Sequence, residues 1–387
     1  MEEASAATFP KELVVEIVSW LPVKYVMQLR CLNKFFNALI FDPHFVQMHL
    51  NKSTRNSQLA SICFEDENHD DQNNLSYSLI TFSIPCLLQN QLTIFHRSDP
   101  YYLSREYPDI FRSVVGSCNG LLCWFGTSFP SDQWIYFSNP ATRKESEKFT
   151  LFFDYNTNPI FNFSFGYDNL TQTYKVVAFY VDEERKSSVV KVFTLGNNSW
   201  KDIQCLPVLP IYCLLDRSKN DGVHLNGTIN WIAFCDDINI NSNFTVDSNV
   251  TVDQFVILSL DLSTETYTQF LLPRRFDEVP RYPPKLVVLM DCLCFYNDFV
   301  IWQMKDFGVE DSWIQLFKIN HEHFYTWVDL LPLYLSENGD TLVLANVKYK
   351  EAFIYNPRDN KVEQIGIANH IKWSQSKGYV ESLVSTH

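Results

Sequence analysis

Short strand-forming segments recur along most of this chain. Apolar segments bounded by turn residues alternate with strand–turn–strand units, and the pairs repeat roughly every 40 to 60 residues, the spacing of propeller blades. One such unit cannot bury its apolar face alone, so several must pack together around an axis. The pattern predicts a mostly antiparallel all-β domain and favours a β-propeller, with a β-sandwich as the alternative. The apolar segments are 120–124, 174–179, 228–234, 291–296 and 341–344, and the paired units are 135–149, 190–203, 256–273, 314–330 and 352–367.

The first and last turns of this series are alike. Residues 138–144 read SNPATRK and residues 355–361 read YNPRDNK. Because a ring closes well when similar blades meet, this likeness supports the propeller over the sandwich, in which the same turn chemistry would merely be reused.

The N-terminal residues follow a helical pattern instead. Pro10 suits a first helical turn, and Leu21-Pro22 ends the helix because the residue before a proline is pushed out of the α region. Further helices are predicted at 23–29 and 33–40, before an Asp42-Pro43 stop. The sequence therefore predicts three domains or segments: a three-helix module at 1–50, a linker with an acidic loop at 51–80, and a β domain at 81–387. The apolar stripe of the first helix comprises Leu13, Val14, Ile17, Val18 and Leu21.

Charge and cysteine usage restrict the class of protein. The net charge is −14, and the first fifty residues hold four basic and five acidic side chains, so nearly all of the excess lies in the β region. This argues against nucleic acid as a partner and fits a neutral or basic polypeptide. The ten cysteines are scattered without a C-x-x-C pair, and we find neither a secretory signal nor a membrane-length apolar run. We therefore expect no membrane association and a reducing compartment, the cytoplasm and/or the nucleus.

Candidates for catalytic or metal chemistry are weak. His321 and His323 could lie on one face of a strand, but a metal site needs further ligands and a hairpin turn is expected there. Residues 116–120, GSCNG, lack the G-x-S-x-G register and are better explained as a tight turn into a buried strand. We expect no catalytic residue, no metal and no cofactor. The alternative is a propeller enzyme or glycan-binding protein with a helical extension, which would need a polar pocket at the ring axis.

The helical segment resembles the F-box. Phe9-Pro10, Leu13, Ile17-Val18 and Leu21-Pro22 match the first half of its pattern. The second half is matched by Val26, Leu29, Arg30-Cys31, Lys34, Leu39-Ile40, Asp42-Pro43 and Phe45. Departures are Phe9 for Leu, Leu32 for Val, Asn33 for Cys and Phe36 for Trp.

The β region is similar to the F-box-associated interaction domain of plant F-box proteins, often labelled F-box/kelch-repeat. The resemblance rests on residues 115–123, 139–144, 165–168 with 174–177, 222–231 and 379–383. Kelch repeats carry a Gly-Gly pair in each blade, and this chain has none, so the kelch label is loose.

Together these resemblances imply a non-catalytic substrate-recognition subunit of an SCF-type E3 ubiquitin ligase. The F-box would dock on a Skp adaptor, and through it on cullin and RING subunits, while the β domain binds an unknown target protein. An F-box protein that acts with the adaptor alone stays open as a further alternative. The implied adaptor-binding residues are Phe9, Pro10, Leu13, Val14, Ile17, Leu21, Pro22 and Val26.

Overall fold

A computed structural model describes most of the chain. The described residues are 10–54, 58–65, 76–89, 101–102, 111–128, 132–151, 161–182, 187–211, 222–235, 251–274, 276, 280, 284–297, 299–320, 322, 330–347, 350–365 and 371–387. The acidic stretch at 65–74, apart from its first residue, and the His321 and His323 pair lie outside this part. No helix within the described ranges is both long and apolar enough to cross a membrane.

Four helices form the N-terminal module, where three are predicted. Short polar residues begin the later helices: Asn33 accepts a hydrogen bond from the Phe36 amide at 3.0 Å, and Asp42 accepts one from the Phe45 amide at 3.0 Å. The additional helix has 11 residues and begins at Pro43, where the sequence predicts a stop. The helices are α1 (Lys11–Val18), α2 (Val23–Leu29), α3 (Lys34–Leu39) and α4 (Pro43–Ser53).

Six antiparallel sheets follow, and they are the blades of a β-propeller. Blades are lettered A to F here, each written from its innermost strand outward. Blade A contains β26 (Ile371–Tyr379), β1 (Gln58–Glu65), β2 (Ser76–Ser83) and β3 (Tyr101–Tyr102), and a short helix α5 (Ile84–Leu88) follows β2. Blade B contains β4 (Phe111–Cys118), β5 (Leu121–Ser128), β6 (Asp132–Asn139) and β7 (Lys144–Glu145), with β8 (Phe149–Thr150) also paired to β6. Blade C contains β9 (Asn162–Asp168), β10 (Thr173–Asp182), β11 (Ser187–Thr194) and β12 (Ser199–Ile203).

The remaining three blades repeat this order. Blade D contains β14 (Val223–Leu225), β15 (Thr228–Phe234), β16 (Phe255–Asp261) and β17 (Tyr267–Leu271), with β13 (Leu209–Pro210) also paired to β15. Blade E contains β18 (Lys285–Leu289), β19 (Cys292–Asn297), β20 (Val300–Met304) and β21 (Trp313–Lys318). Blade F contains β22 (Leu330–Leu335), β23 (Leu342–Asn346), β24 (Glu351–Asn356) and β25 (Lys361–Gln364).

The core of the propeller lies between blades. Six apolar clusters occur, and each joins two neighbouring blades around the ring, from A–B through to F–A. Between blades B and C, for example, the Phe137 ring lies 5.6 Å from that of Phe165 and 6.0 Å from that of Phe193. Each blade therefore depends on both neighbours for burial of its faces, as expected of a closed ring.

The ring closes in blade A through the two ends of the β region. Strand β26 pairs antiparallel with β1, which in turn pairs with β2. The predicted linker at 51–80 is thus corrected in part, since residues 58–65 and 76–80 belong to this blade. The two similar turns at 138–144 and 355–361 occupy equivalent positions between the outer strands of blades B and F, but the closing blade separates them.

The helical module sits on the face of the propeller that carries the turns between the first and second strands of each blade. Residues 380–387, called the C-terminal tail here, continue from β26 toward this module. Leu383 of the tail is 7% exposed and packs in the module core with Val23 and Phe45. Glu381 accepts a hydrogen bond from the Val23 amide at 3.2 Å. The tail therefore joins the module to the propeller.

Candidate functional site

The outer side of helix α1 exposes large apolar side chains. Leu13, Ile17 and Trp20 are 50%, 58% and 51% exposed. Their spacing of four and three residues places them on one side of the helix and the turn that follows it. These three side chains are called the outer face here. Exposed apolar patches are a feature of interaction surfaces.

The opposite side of α1 builds the core of the module. Val18 is buried, and Val14, Val15 and Leu21 are half-buried against the same cluster. The predicted stripe is therefore split: part of it packs inside the module, and Leu13 and Ile17 remain outside.

The other predicted adaptor-binding residues differ in position. Pro10 and Pro22 are exposed immediately before α1 and α2. Val26 is only 1% exposed and packs with Val23 and Leu39 in the core of the module, so its contact with a partner stays a prediction. Phe9 lies outside the described residues.

Several exposed side chains of the module were not predicted. Trp20, Tyr25, Leu32 and Phe41 are each more than half exposed. Helical spacing from Leu13 and Ile17 is a signal that could have identified Trp20, whereas Tyr25, Leu32 and Phe41 lie in different helices or turns and share no periodicity. Phe41 also faces the propeller, where the Lys144 ammonium lies 5.5 Å from its ring centroid.

A polar cluster connects α4 to α1 behind the outer face. The Lys52 ammonium lies 2.5 Å from the Glu16 carboxylate and 4.8 Å from the Trp20 ring centroid. Hydrogen bonds from Lys52 and Trp20 lower the pKa of Glu16. These contacts hold Trp20 in place at the edge of the outer face.

Buried His49 joins α4 to the α1–α2 turn. Its Nε2 lies 2.9 Å from the Leu21 carbonyl oxygen, and its Nδ1 lies 3.2 Å from the Ser53 hydroxyl. Burial lowers the pKa of His49. A neutral ring with the proton on Nε2 satisfies both contacts, which makes this histidine a structural residue of the module.

A cavity of about 700 Å³ lies on the propeller axis. Its walls are the innermost strands of the blades, and its size lies in the range of small-molecule pockets. The charged groups among the described lining residues are Lys285, Lys372, Lys377 and Asp291, and His224 is also in the wall.

The turn at 116–120 ends near this cavity. Asn119 and Gly120 have φ of +50° and +82°, which makes a tight hairpin turn between β4 and β5, as predicted. Cys118 Sγ lies 3.7 Å from His224 Nδ1, but burial raises the pKa of this thiol to about 12. A thiol with so high a pKa is not an activated nucleophile. Among the described residues, no group of three or more His, Cys, Asp or Glu side chains could hold a metal ion.

Two tryptophans of the outermost strands make contacts within the propeller. Trp200 packs on Phe193, with ring centroids 5.3 Å apart, and the Trp313 indole donates to the Leu271 carbonyl at 3.2 Å.

Comparison with known proteins covers both parts of the chain. A family model described as "F-box domain" matches residues 8–47, and one described as "F-box associated beta propeller domain" matches residues 73–386. An F-box/kelch-repeat protein of Arabidopsis thaliana is 23% identical over 82% of this chain and 81% of its own length. The Arabidopsis F-box protein CPR1 is 25% identical over 81% of this chain and 73% of its own length.

Proposed function

This chain belongs to the F-box proteins that carry an F-box associated beta propeller domain, and from that premise we propose that it is the substrate-receptor subunit of an SCF-type E3 ubiquitin ligase. The observation that carries the proposal is the outer face of α1. An apolar surface of this kind, on a small module whose own core is filled, is suited to a permanent partner. The partner proposed is a Skp adaptor, which would link the chain to cullin and RING subunits.

On the adaptor side, Leu13 and Ile17 would insert into apolar pockets, and Trp20 would extend the contact. Pro10 and Pro22 would border it, since they begin the two helices on either side. Val14 and Leu21 would support these residues from the module core. Phe9 is retained as a proposed contact on the resemblance alone.

On the target side, the propeller would hold a protein while a ubiquitin-loaded enzyme elsewhere in the assembly forms the new bond. The contribution of this chain is then proximity, which converts a bimolecular encounter into an effectively intramolecular step. The chain would supply no catalytic residue, metal or cofactor of its own. We place its action in the cytoplasm and/or the nucleus, where such assemblies would have access to their targets.

The first experiment tests the outer face. The full chain is co-expressed with a Skp adaptor, and the complex is measured by size-exclusion chromatography. Leu13→Asp combined with Ile17→Asp should abolish co-elution, because it places two charges against apolar pockets. Both side chains are half exposed or more, so the variant should still fold.

The matched control is Leu170→Asp, which makes the same chemical change at a leucine on the propeller that is 80% exposed. It should leave co-elution unchanged. Co-elution of the double variant at the wild-type level would refute the proposed contact face. Addition of cullin and RING subunits then separates a ligase receptor from a protein that acts with the adaptor alone.

A further inference from the structure

A second cavity, of about 400 Å³, lies where the helical module meets the propeller. It is called the junction cavity here. Its walls come from helix α4, from the hairpins β4–β5 and β9–β10 of blades B and C, and from the C-terminal tail. Its volume lies at the small end of the range for ligand pockets. Among the described residues it shares no lining residue with the axial cavity, so the two are separate sites.

Helix α4 forms the wall on the module side. Pro43, Val46, Gln47 and Leu50 line the cavity, and their spacing of three, four and seven residues from Pro43 places them along one side of the helix. Phe45, on another side of the helix, is 1% exposed in the module core. Helix α4 therefore builds the module with one side and the cavity with another.

Two tyrosine rings form the wall on the propeller side. Tyr167 and Tyr174 face each other across β9 and β10, with ring centroids 4.8 Å apart, and both line the cavity. Tyr174 also stacks on Phe165, with ring centroids 5.9 Å apart and ring planes 21° from parallel. Burial raises the pKa of Tyr174, and a hydrogen bond with the Asn119 side chain acts in the opposite direction. The rings thus present a fixed, uncharged aromatic surface.

A buried asparagine fixes the wall formed by the tail. Asn139 is fully buried, and its Nδ2 donates to the Ser382 carbonyl at 3.0 Å and to the Val384 carbonyl at 2.9 Å. Its Oδ1 accepts from the Ala141 amide at 3.1 Å. Val384 lines the cavity and packs against the apolar cluster between blades B and C. Because the walls are held in place by the fold, a ligand would need to order little of the protein on binding.

The lining residues indicate the chemistry of a ligand. No carboxylate, ammonium or guanidinium group occurs among those that the structure describes, and they include one imidazole, that of His44. A charged ligand would lose hydration there without meeting a carboxylate, ammonium or guanidinium partner. The amides of Asn119 and Gln172 can donate and accept hydrogen bonds, and the tyrosine rings suit a planar ring.

We propose that the junction cavity binds a small neutral molecule that has a planar ring and at least one hydrogen-bonding group. The ligand would contact the module through α4 and the propeller through Tyr167 and Tyr174. A molecule that binds both parts only when they are docked stabilises the docked arrangement. The proposal does not depend on the ligase assignment.

The test uses the full chain and two probes that share a benzene ring: benzamide, which is neutral, and sodium benzoate, which is anionic. Ligand-observed NMR titration should show saturable binding of benzamide with a dissociation constant below about 10 mM, as expected for a probe of about nine non-hydrogen atoms. Benzoate should bind at least about fivefold more weakly. Saturating benzamide should also slow hydrogen–deuterium exchange in peptides from both α4 and the β9–β10 hairpin.

Gln47→Trp places a bulky side chain at an exposed lining position and should weaken benzamide binding at least about tenfold. The matched control, Gln28→Trp, makes the same change at an exposed glutamine of α2 that does not line the cavity. It should leave the dissociation constant unchanged.

Absence of saturable benzamide binding would overturn the proposal, and so would unchanged binding by Gln47→Trp. Benzoate that binds as tightly as benzamide would refute the neutral class of ligand. Circular dichroism checks that each variant is folded. The exchange pattern of the wild-type chain tests the location even if a variant does not fold, because slowing in only one of the two regions would contradict a site between them.

Discussion

Replacing Leu383 by alanine should loosen the helical module from the propeller without opening the ring. The side chain comes from the C-terminal tail but is buried in the module core. Leu→Ala removes three carbon atoms, which at about 0.8 kcal/mol each gives roughly 2.4 kcal/mol of lost transfer free energy. An unfilled cavity would raise the loss toward about 4 kcal/mol. The closing strand β26 ends at Tyr379 and is untouched by the change.

Hydrogen–deuterium exchange with mass spectrometry measures this loss locally. A loss of 2.4 kcal/mol corresponds to roughly a 50-fold change in an opening equilibrium. Peptides that cover α2 to α4 should therefore exchange about 50-fold faster, whereas peptides from the central strand β5 should be unchanged.

The matched control is Leu383→Met, which keeps the volume and should cost less than about 1.5 kcal/mol. Equal acceleration in α2–α4 and in β5 would show that Leu383 stabilises the whole chain and would refute a local role. No acceleration in either would show that the tail does not hold the module.

The remaining predictions concern polar and backbone contacts that stabilise the propeller. Lys175→Met should lower the free energy of unfolding by about 3 kcal/mol in urea denaturation at pH 7, because the fully buried Asp168 carboxylate, 3.0 Å from the Lys175 ammonium, loses its cation. Adding Asp168→Asn should recover part of that loss, and strictly additive losses would contradict the pairing. Burial alone would raise the pKa of Asp168, but hydrogen bonds from Ser263, Thr171 and Lys175 hold it well below the usual value. Its contribution to stability is therefore full above about pH 4 and is lost as the pH falls below that, so Asp168→Asn should flatten the acid limb of a thermal-melting profile. Gly120→Ala should lower the melting temperature more than Gly196→Ala. Both glycines have positive φ, so an alanine is strained at either position. A Cβ at Gly120 would also lie 2.2 Å from Ser382 Oγ, whereas a Cβ at Gly196 would have nothing within 4 Å. Equal shifts would mean that the contact with the tail is unimportant.

The second strand of five blades could be predicted from local sequence alone. The apolar segment 174–179 lies within β10, and 228–234 coincides with β15. These strands are buried on both faces between neighbouring blades, so they appear in the sequence as short, nearly continuous apolar runs. The number of blades depends on how those runs are distributed around the ring. The structure shows six blades.

Pairing between strands that are far apart in the sequence has no signal of this kind in the local sequence. Residues 314–330 were predicted as one hairpin, but β21 ends at Lys318 and β22 begins at Leu330 in the next blade. A turn in the sequence does not show whether it joins strands within a blade or between blades. Strand β1 likewise falls within the predicted linker, and its partner β26 lies about 300 residues away.

Local sequence likewise shows only part of the candidate contact surface. Helical periodicity identified the stripe that contains Leu13 and Ile17, but it could not show that Val26 faces inward. Burial of Val26 depends on how the helices pack with one another and with Leu383 of the C-terminal tail, which periodicity within one helix does not show. Lys285 and Lys372, which line the axial cavity, are also distant in sequence, and the ring brings them together.

Closure of the propeller by β26 has a consequence for biosynthesis. While the ribosome is still translating the last blade, β1 has no inner neighbour, and the nascent chain displays an unpaired strand edge that invites aggregation. The same late segment then delivers Leu383 to the F-box. Closure of the ring and completion of the module core would thus both wait for the same segment, which is made about 300 residues after β1.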